Sequence, residues 1–508
     1  MSKRRIAKSM AQGTGAWYGH ERLDDSTETE NMRLRTDNRI LLVSDKYGNR
    51  VPLQIEKICR AILKAAAKVG GFALDIREEI NSPLLGGRTD EDIAEFLAHD
   101  VLGRLNSNPQ YLTPNTPAPL DEIHRCVIET LRFWGLRTVA DEYQFYSSAR
   151  LWVRRRALDE RHFSHVPYPQ ELVDEASRFN AAHDCDTVDG INRWVRGGRL
   201  QELINAAIER YDEQLAIATR LMLARPGVRL LVIAGPSSSG KTTTTTKITE
   251  LVKRDTGKEF VVFSADNYFY GVELHPADQY GDRDYERARA YEITLMRSHL
   301  LDLLEGRTIQ MPVFDFKAGT RVGTKPVSAR PDQIIILDCL HGLYPYITQG
   351  IPDHLKFNLY ICNANRVLWG DGSSSRSIPF TLVNMIRRIL RDSRHRDKGL
   401  LATVNHWHYV RDGELTDMNP FVRTAHAYVN GGLAFDLPVL KRCLSGRFPS
   451  IDSLPHGTSL DAYLWTLDGS RLLSSVEEAP VESLAMIPGD CHIREFIGGL
   501  DLEIAHQH

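Results

Sequence analysis

The chain has 508 residues, which at about 100–200 residues per domain gives room for several domains. Hydrophobic residues at 42% and charged residues at 25% match ordinary globular usage and exclude wholesale disorder. Lys plus Arg number 63 against 66 Asp plus Glu, a formal charge of −3, so no global basic field serves nucleic acid or an anionic membrane.

Residues 1–38 are polar and lack an apolar period, with a basic start at Lys3, Arg4 and Arg5, and read as a flexible tail. From Arg39 the texture changes. Ile40–Val43 reads as a strand, the segment Asp45–Arg50 as a tight turn, and Ile55, Ile58, Ile62 and Ala65 fall at helical spacing. Helical patterns follow at Glu91–Leu102, Leu120–Trp134 and Thr138–Val153, giving a mainly helical unit over 39–150. Residues 151–225 continue as amphipathic helices, ending in Leu200–Leu223, and read as a helical connector.

The period then switches. Short apolar runs at Val228–Ala234, Glu259–Phe263, Gln333–Leu337 and Leu355–Ile361 alternate with helical patterns at Thr242–Lys253, Ala288–Leu304 and Phe380–Arg391. Such alternation predicts an α/β fold, a parallel sheet flanked by helices, over 226–444. Residues 445–508 are weakly patterned and read as an extension of that domain. No apolar run approaches the ~18 residues of a membrane span, and no signal-peptide core follows Met1. Seven scattered cysteines without a C-x-x-C pair argue against a disulfide framework or Cys-rich zinc site. A cytoplasmic protein with neither a membrane nor a nucleic-acid partner is expected.

The strongest motif is Gly235-Pro236-Ser237-Ser238-Ser239-Gly240-Lys241-Thr242, the G-x-x-x-x-G-K-[ST] pattern, set between a predicted strand and a predicted helix. Backbone N–H groups of such a loop wrap nucleotide phosphates, and the helix N-terminus adds its positive dipole end. Lys241 can reach the β and γ phosphates and the Thr242 hydroxyl can ligate Mg²⁺. An N-K-x-D element, needed by a GTPase, does not occur. His395-Arg396-Asp397 lacks the Asn and the D-F-G of a protein kinase.

Three further elements accompany the loop. Ser264-Ala265-Asp266-Asn267-Tyr268 ends a strand, where a carboxylate can accept the proton of an attacking hydroxyl, although a turn cap uses the same residue. Ile334–Asp338 is an apolar strand ending in an acid, a Walker-B-like place for Asp338 to help hold Mg²⁺. Arg387-Arg388-Ile389-Leu390-Arg391-Asp392 is basic, and arginines closing over a triphosphate would stabilise the transferring group.

With P-x-F-D-F-K-x-G-x-R at 312–321 and His341-Gly342-Leu343 after the acid-ended strand, these motifs resemble the uridine kinase/phosphoribulokinase family, in a bacterial uridine-kinase-related branch. That branch also carries tracts like Trp407, Val410-Arg411, Gly413-Glu414, Asn430 and Ile493–Gly499, so the resemblance covers about 225–500. It implies a P-loop kinase using ATP and Mg²⁺, with Asp266 as general base and Lys241 and Arg391 acting on the transferred group. Gly235–Thr242 with Thr243, Arg387, Arg388, Arg394 and Arg396 are implied ATP contacts, the arginines as a lid, and Thr242 with Asp338 the metal ligands. Tyr268, Asp284, Phe314, Phe316, Arg321 and His341 are the implied acceptor contacts, Asp284 on ribose hydroxyls. Two positions depart: the uridine-kinase pattern P-x-Y-D-F-x-x-H-x-R has Tyr and a base-reading His where this chain has Phe314 and Gly319. Asp338 stands where many relatives have Glu.

Residues 39–150 resemble an ATP-cone, on Val43–Gly48, Val51-Pro52, Lys57-Ile58 and late helices with Ala140, Tyr143, Tyr146 and Arg150. The resemblance implies a regulatory nucleotide, with Lys46 and Lys57 as phosphate contacts. The expected function is therefore a Mg-ATP-dependent kinase acting on a hydroxyl of a nucleoside or similar ribosyl-like metabolite, regulated through the cone, and a homo-oligomer. Two alternatives stand: a P-loop ATPase or sensing switch acting on a protein partner, and a sugar-phosphate kinase drawing cations from Arg283, Arg287, Arg289 and Lys317.

Overall fold

Two short strands, β1 (Leu42–Ser44) and β2 (Arg50–Pro52), pair antiparallel with Val43 opposite Val51. They begin the part of the chain that the computed structural model describes: residues 42–44, 50–72, 88–107, 117–145, 147, 168–277, 282–371, 377–395, 399–444, 446–455 and 458–502. Helices α1 (Ile55–Lys68), α2 (Asp90–Asn106) and α3 (Leu120–Phe133) follow, with a further helical stretch at 137–145. The Thr89 side chain accepts from Asp92 N while the Asp92 carboxylate accepts from Thr89 N, a reciprocal cap that starts α2. Ile58, Ile62, Leu97, Val101, Val127 and Leu131 meet in one core. Lys57 lies exposed on α1. Lys46 and the turn around it fall outside the described residues, as do residues 1–38. Clustering divides the chain into two units, Met1–Ser147 and Ser148–His508.

The second unit begins with α4 (Gln170–Ala182), α5 (Val188–Arg196) and α6 (Leu200–Leu223). Its sheet is built from β3 (Leu230–Ala234), β4 (Phe260–Ser264), β7 (Ile334–Asp338), β8 (Lys356–Cys362) and β9 (Ala427–Asn430). The strand order is β4-β7-β3-β8-β9, and every pairing is parallel. Alternation along β3 shows why the apolar runs are continuous. Leu230 and Val232 pack toward Met296, Leu300 and Leu303 of α8 (Ile293–Leu304). Leu231 and Ile233 pack toward Tyr211 and Leu215 of α6 and toward Ile248 and Val252 of α7 (Lys241–Thr256). Both faces are covered, so both residue sets must be apolar.

Between α8 and β7 an antiparallel hairpin, β5 (Ile309–Asp315) with β6 (Thr320–Val327), stands apart from the sheet. Sequence periodicity misses it because most of β6 is exposed and carries no apolar alternation. Beyond the sheet lie α9 (Phe380–His395), α10 (Leu400–Gly413), α11 (Asp436–Leu444), α12 (Leu460–Ser475) and α13 (Val481–Met486), with a short turn at Arg494–Ile497. Trp407, Phe435, Trp465, Leu472, Ile493 and Phe496 share their core. Among the described residues no helix is long and apolar enough to cross a membrane.

The segment 151–225 differs from a connector where it is described. Leu200, Leu203, Ile204 and Ala207 of α6 enter the helical core, while Tyr211, Leu215, Ala218 and Met222 cover the sheet. One 24-residue helix therefore seals two cores, and its apolar positions read as amphipathic although both ends are buried. A fragment 226–508 should show no cooperative thermal transition by circular dichroism. A transition matching that of the full chain would contradict this packing.

Candidate active site

The phosphate loop leaves the central strand β3 and ends at the first turn of α7. Ser237, Ser238 and Ser239 are all buried, and the Ser238 and Ser239 hydroxyls have no hydrogen-bond partner among the described residues. Such orphaned hydroxyls are costly unless a ligand completes them. Ser238 sits at φ 60°, a left-handed conformation rare for a non-glycine residue. Thr244 is the residue whose N–H first bonds within α7, to Gly240 O at 3.1 Å, so the amides before it point into the loop. Lys241 Nζ donates to the carbonyls of Gly235 (3.0 Å) and Pro236 (2.9 Å). Burial pulls its ammonium pKa down, opposed chiefly by the Asp338 carboxylate.

Strand register gathers the acids. Asp338 at the end of β7 lies beside Ile233 on β3 and beside Ser264 on β4, two residues before Asp266. Asp266, Asp338 and Glu495 all act electrostatically to raise Lys241, while Arg391 lowers it. Burial pushes the Asp338 carboxyl up to about 6 against the pull of Lys241, and Glu495 pushes the same way. This donor set fits a phosphate with a divalent cation: orphaned hydroxyls, amides of the helix start outside the α7 ladder, one ammonium and a buried carboxylate.

The loop is held from below by two arginines of α9. Arg387 is fully buried; it donates to Asp436 at 2.6 Å, to Gly431 O at 2.9 Å and to Ser238 O at 3.3 Å. Arg388 donates to Glu286 at 2.6 Å and to Ser237 Oγ at 3.2 Å, and its Nε reaches Asp392 at 3.3 Å. The expectation that these two form a lid is corrected: their guanidinium groups brace the loop from inside the protein. Arg391 pairs with Asp392, Arg394 is exposed at the end of α9, and Arg396 falls outside the described residues.

The acceptor side needs a similar correction. The Tyr268 ring is buried against Phe263 at 4.9 Å, and its hydroxyl bonds His299 Nδ1 at 2.8 Å. His341 is buried with Nε2 on Glu286 O at 2.8 Å. Arg321 donates to Phe269 O and Tyr268 O and pairs with Glu292, buttressing the turn after β4. These three build the walls of the pocket. Phe314 and Phe316 differ: their rings lie 5.2 Å apart beside Phe269, Phe316 is 61% exposed, and Phe314 N donates to Asn267 Oδ1 next to Asp266. Asp284 accepts from Arg289 at 3.0 Å. Gly319 closes the hairpin at φ +67°, with a Val272 methyl 3.1 Å from where a Cβ would stand. A histidine there would be strained as well as crowded, so the missing base reader follows from the turn.

The sequence reading missed Glu286, Asp436, His406 and a role for Glu495. Glu286, two residues after Asp284, accepts from Arg388 and bonds His406 Nε2 at 3.1 Å, and His406 Nδ1 bonds Asp282 at 2.7 Å. These partners are 102 and 120 residues away along the chain, beyond any local pattern.

The model of the Phosphoribulokinase / Uridine kinase family matches residues 230–371. The kinase unit of this chain is similar to that family over these residues. It is an ATP-dependent phosphotransferase acting on a hydroxyl, with ATP and Mg²⁺ as cofactors. The chain is 28% identical over 203 residues to the uridine kinase of Deinococcus deserti, covering 40% of this chain and 87% of that protein. It is 28% identical over 214 residues to the uridine kinase of Bacillus pumilus, covering 41% and 91%. A solved possible uridine kinase from Bacillus stearothermophilus is 19% identical, with 29% of this chain and 79% of that one covered and a TM-score of 0.25.

The network around Glu286 gives a pH signature. Burial alone would raise the Glu286 pKa, but Arg388 and His406 hold it well below 4.5, so its contribution is lost as pH falls. Burial alone would lower His406, but Asp282 and Glu286 raise it above 6.5, so its contribution is lost as pH rises through that raised value. The two act together between about pH 4.5 and 6.5. The melting-temperature deficit of His406→Gln should be largest in that window and shrink toward pH 9; a deficit constant with pH would refute the charged network.

Proposed function

We propose that this kinase phosphorylates a hydroxyl of a nucleoside or similar ribosyl-like metabolite and does not read a pyrimidine by hydrogen bonding. The carrying observation is the register that sets Asp338 beside both β3 and Ser264, which brings Asp266 to the edge of the phosphate loop. Asp266 accepts the proton of the acceptor hydroxyl. Lys241 and Arg391 offset negative charge on the transferring group, and the buried Ser238 and Ser239 hydroxyls donate to phosphate oxygens. Thr242 and Asp338 would hold Mg²⁺, which when bound neutralises phosphate charge. Phe314 and Phe316 offer an aromatic face for a planar group, and Asp284 accepts from ribose hydroxyls.

Readings that need free cations near the acceptor lose support. Arg287 pairs with Asp412 and Asp417, Arg289 with Asp284, and Arg283 donates to His275 O. Of the four cations that a sugar-phosphate acceptor would draw on, these three are engaged within the chain, while Lys317 is exposed on the hairpin turn. For the first unit, the hairpin followed by helices with Lys57 exposed is compatible with a nucleotide-sensing ATP-cone. Coupling from such a site to the kinase would be about 1–3 kcal/mol.

Asp266→Asn should lower acceptor-dependent ADP release by about 10²–10⁴ while leaving ATP affinity unchanged. Full activity in that variant would remove Asp266 from the chemistry. Across a nucleoside panel, kcat/KM should vary far less between bases than the ~10⁴ that hydrogen-bond selection gives. A preference of that size for uridine would overturn the reading of Gly319.

A further inference from the structure

The segment after α13 touches the phosphate loop at several points. Asp490 pairs with Lys247 of α7 at 2.8 Å, and His492 Nε2 bonds Gly431 O at 2.8 Å. The His492 ring crowds Gly240, its Cδ2 lying 2.8 Å from where a Cβ would stand. The Phe496 ring lies under the Arg387 guanidinium at 5.2 Å. On this anchored stretch sits Glu495, whose carboxylate oxygen Oε1 accepts from the Thr243 amide at 2.7 Å and from the Thr243 hydroxyl. The Thr243 amide belongs to the first turn of α7, ahead of the first amide bonded within the helix. It is one of the donors that a nucleotide phosphate would use.

We infer that Glu495 is an internal phosphate mimic, an autoinhibitory plug that nucleotide must displace. This rests on nucleotide binding at the phosphate loop. Three observations join here. A carboxylate is the one side-chain anion that matches a phosphate oxygen at a helix N-terminus. The neighbouring Ser238 and Ser239 hydroxyls, both buried, remain without partners, so the plug fills part of the cradle and leaves the rest. Lys241 Nζ is likewise engaged by oxygens of the chain itself, Gly235 O and Pro236 O. The backbone is tied at Asp490, His492 and Phe496, so release needs a rotation of the Glu495 side chain and no refolding of the segment. A bound phosphate and the Glu495 carboxylate compete for one N–H and repel each other. Apparent nucleotide affinity therefore carries the cost of opening.

The test is equilibrium binding of MgATP and of inorganic pyrophosphate to the full chain, for wild type, Glu495→Gln and Glu495→Ala. Loss of a charge-assisted hydrogen bond to a competing anion should tighten both ligands by about tenfold or more in Glu495→Ala, and by less in Glu495→Gln. Equal or weaker binding in both variants, with melting temperature unchanged, overturns the plug, and weaker Mg²⁺-dependent binding would make Glu495 part of the metal site instead. Where a variant folds poorly, hydrogen exchange of wild type decides. MgATP should raise exchange in peptides spanning 491–499 if Glu495 is expelled, whereas protection there would mean the segment closes over nucleotide and would refute the proposal. Failure of every form to bind either ligand would overturn the nucleotide reading itself, and the plug with it.

Discussion

The active site depends on one buried ion pair, Arg387 with Asp436. Neither side chain has meaningful exposure, and the guanidinium also binds the carbonyls of Ser238 and Gly431. Three pieces of chain far apart in sequence meet at one cation: the phosphate loop, α9, and the stretch from Gly431 after β9 to Asp436 at the start of α11. Losing either partner of such a pair leaves an uncompensated buried charge, typically a cost of about 3–5 kcal/mol. Ser238 can hold φ 60° because its carbonyl is fixed from beneath. The helical half of the unit is thus what shapes the nucleotide cradle, and the cradle's geometry is not a property of its eight residues alone.

Arg388 extends the same logic sideways. It joins the Ser237 hydroxyl to Glu286, and Glu286 joins His406 on α10. His341 and the Ala288 region complete the wall, the Ala288 amide donating to Asp417 at 2.9 Å. The chain that follows Asp284 is therefore rigidly attached to the base of the phosphate loop. On the proposed reading, acceptor and donor sites would share this polar framework, their mutual geometry set before either ligand arrives.

What was legible in the sequence follows from range. The phosphate loop, the strand-ending acids and the alternation of strand and helix are local patterns, and four of the five sheet strands lie within two residues of their apolar runs, whereas the four-residue edge strand β9 was not read from the sequence. The hairpin β5–β6 was illegible as strands because its outer strand is solvent-facing, although its Phe314 and Phe316 were already marked by the family resemblance. Arg387 and Arg388 of α9 were found but given the wrong job. Spacing shows that Arg387, Arg388 and Arg391 share a helix, but not that Asp436 and Glu286 wait 49 and 102 residues away. Buried charge pairs of long sequence separation leave no periodic trace, and the same holds for Glu495, which reaches Thr243 across 252 residues.

The charges at the centre of the site explain why that distant carboxylate matters. Asp266, Asp338 and Glu495 act on Lys241 together, with Arg391 as the opposing cation. Around the Lys241 ammonium three carboxylates therefore share the field with one further cation. A divalent cation held beside Asp338 would add positive charge where burial raises the Asp338 pKa. Removing Glu495 from the loop shifts the balance by one further unit and frees the Thr243 amide at the same moment. Metal and plug therefore act on a single electrostatic variable, the net charge facing the phosphates. Nucleotide entry becomes favourable where the cation arrives and the carboxylate leaves.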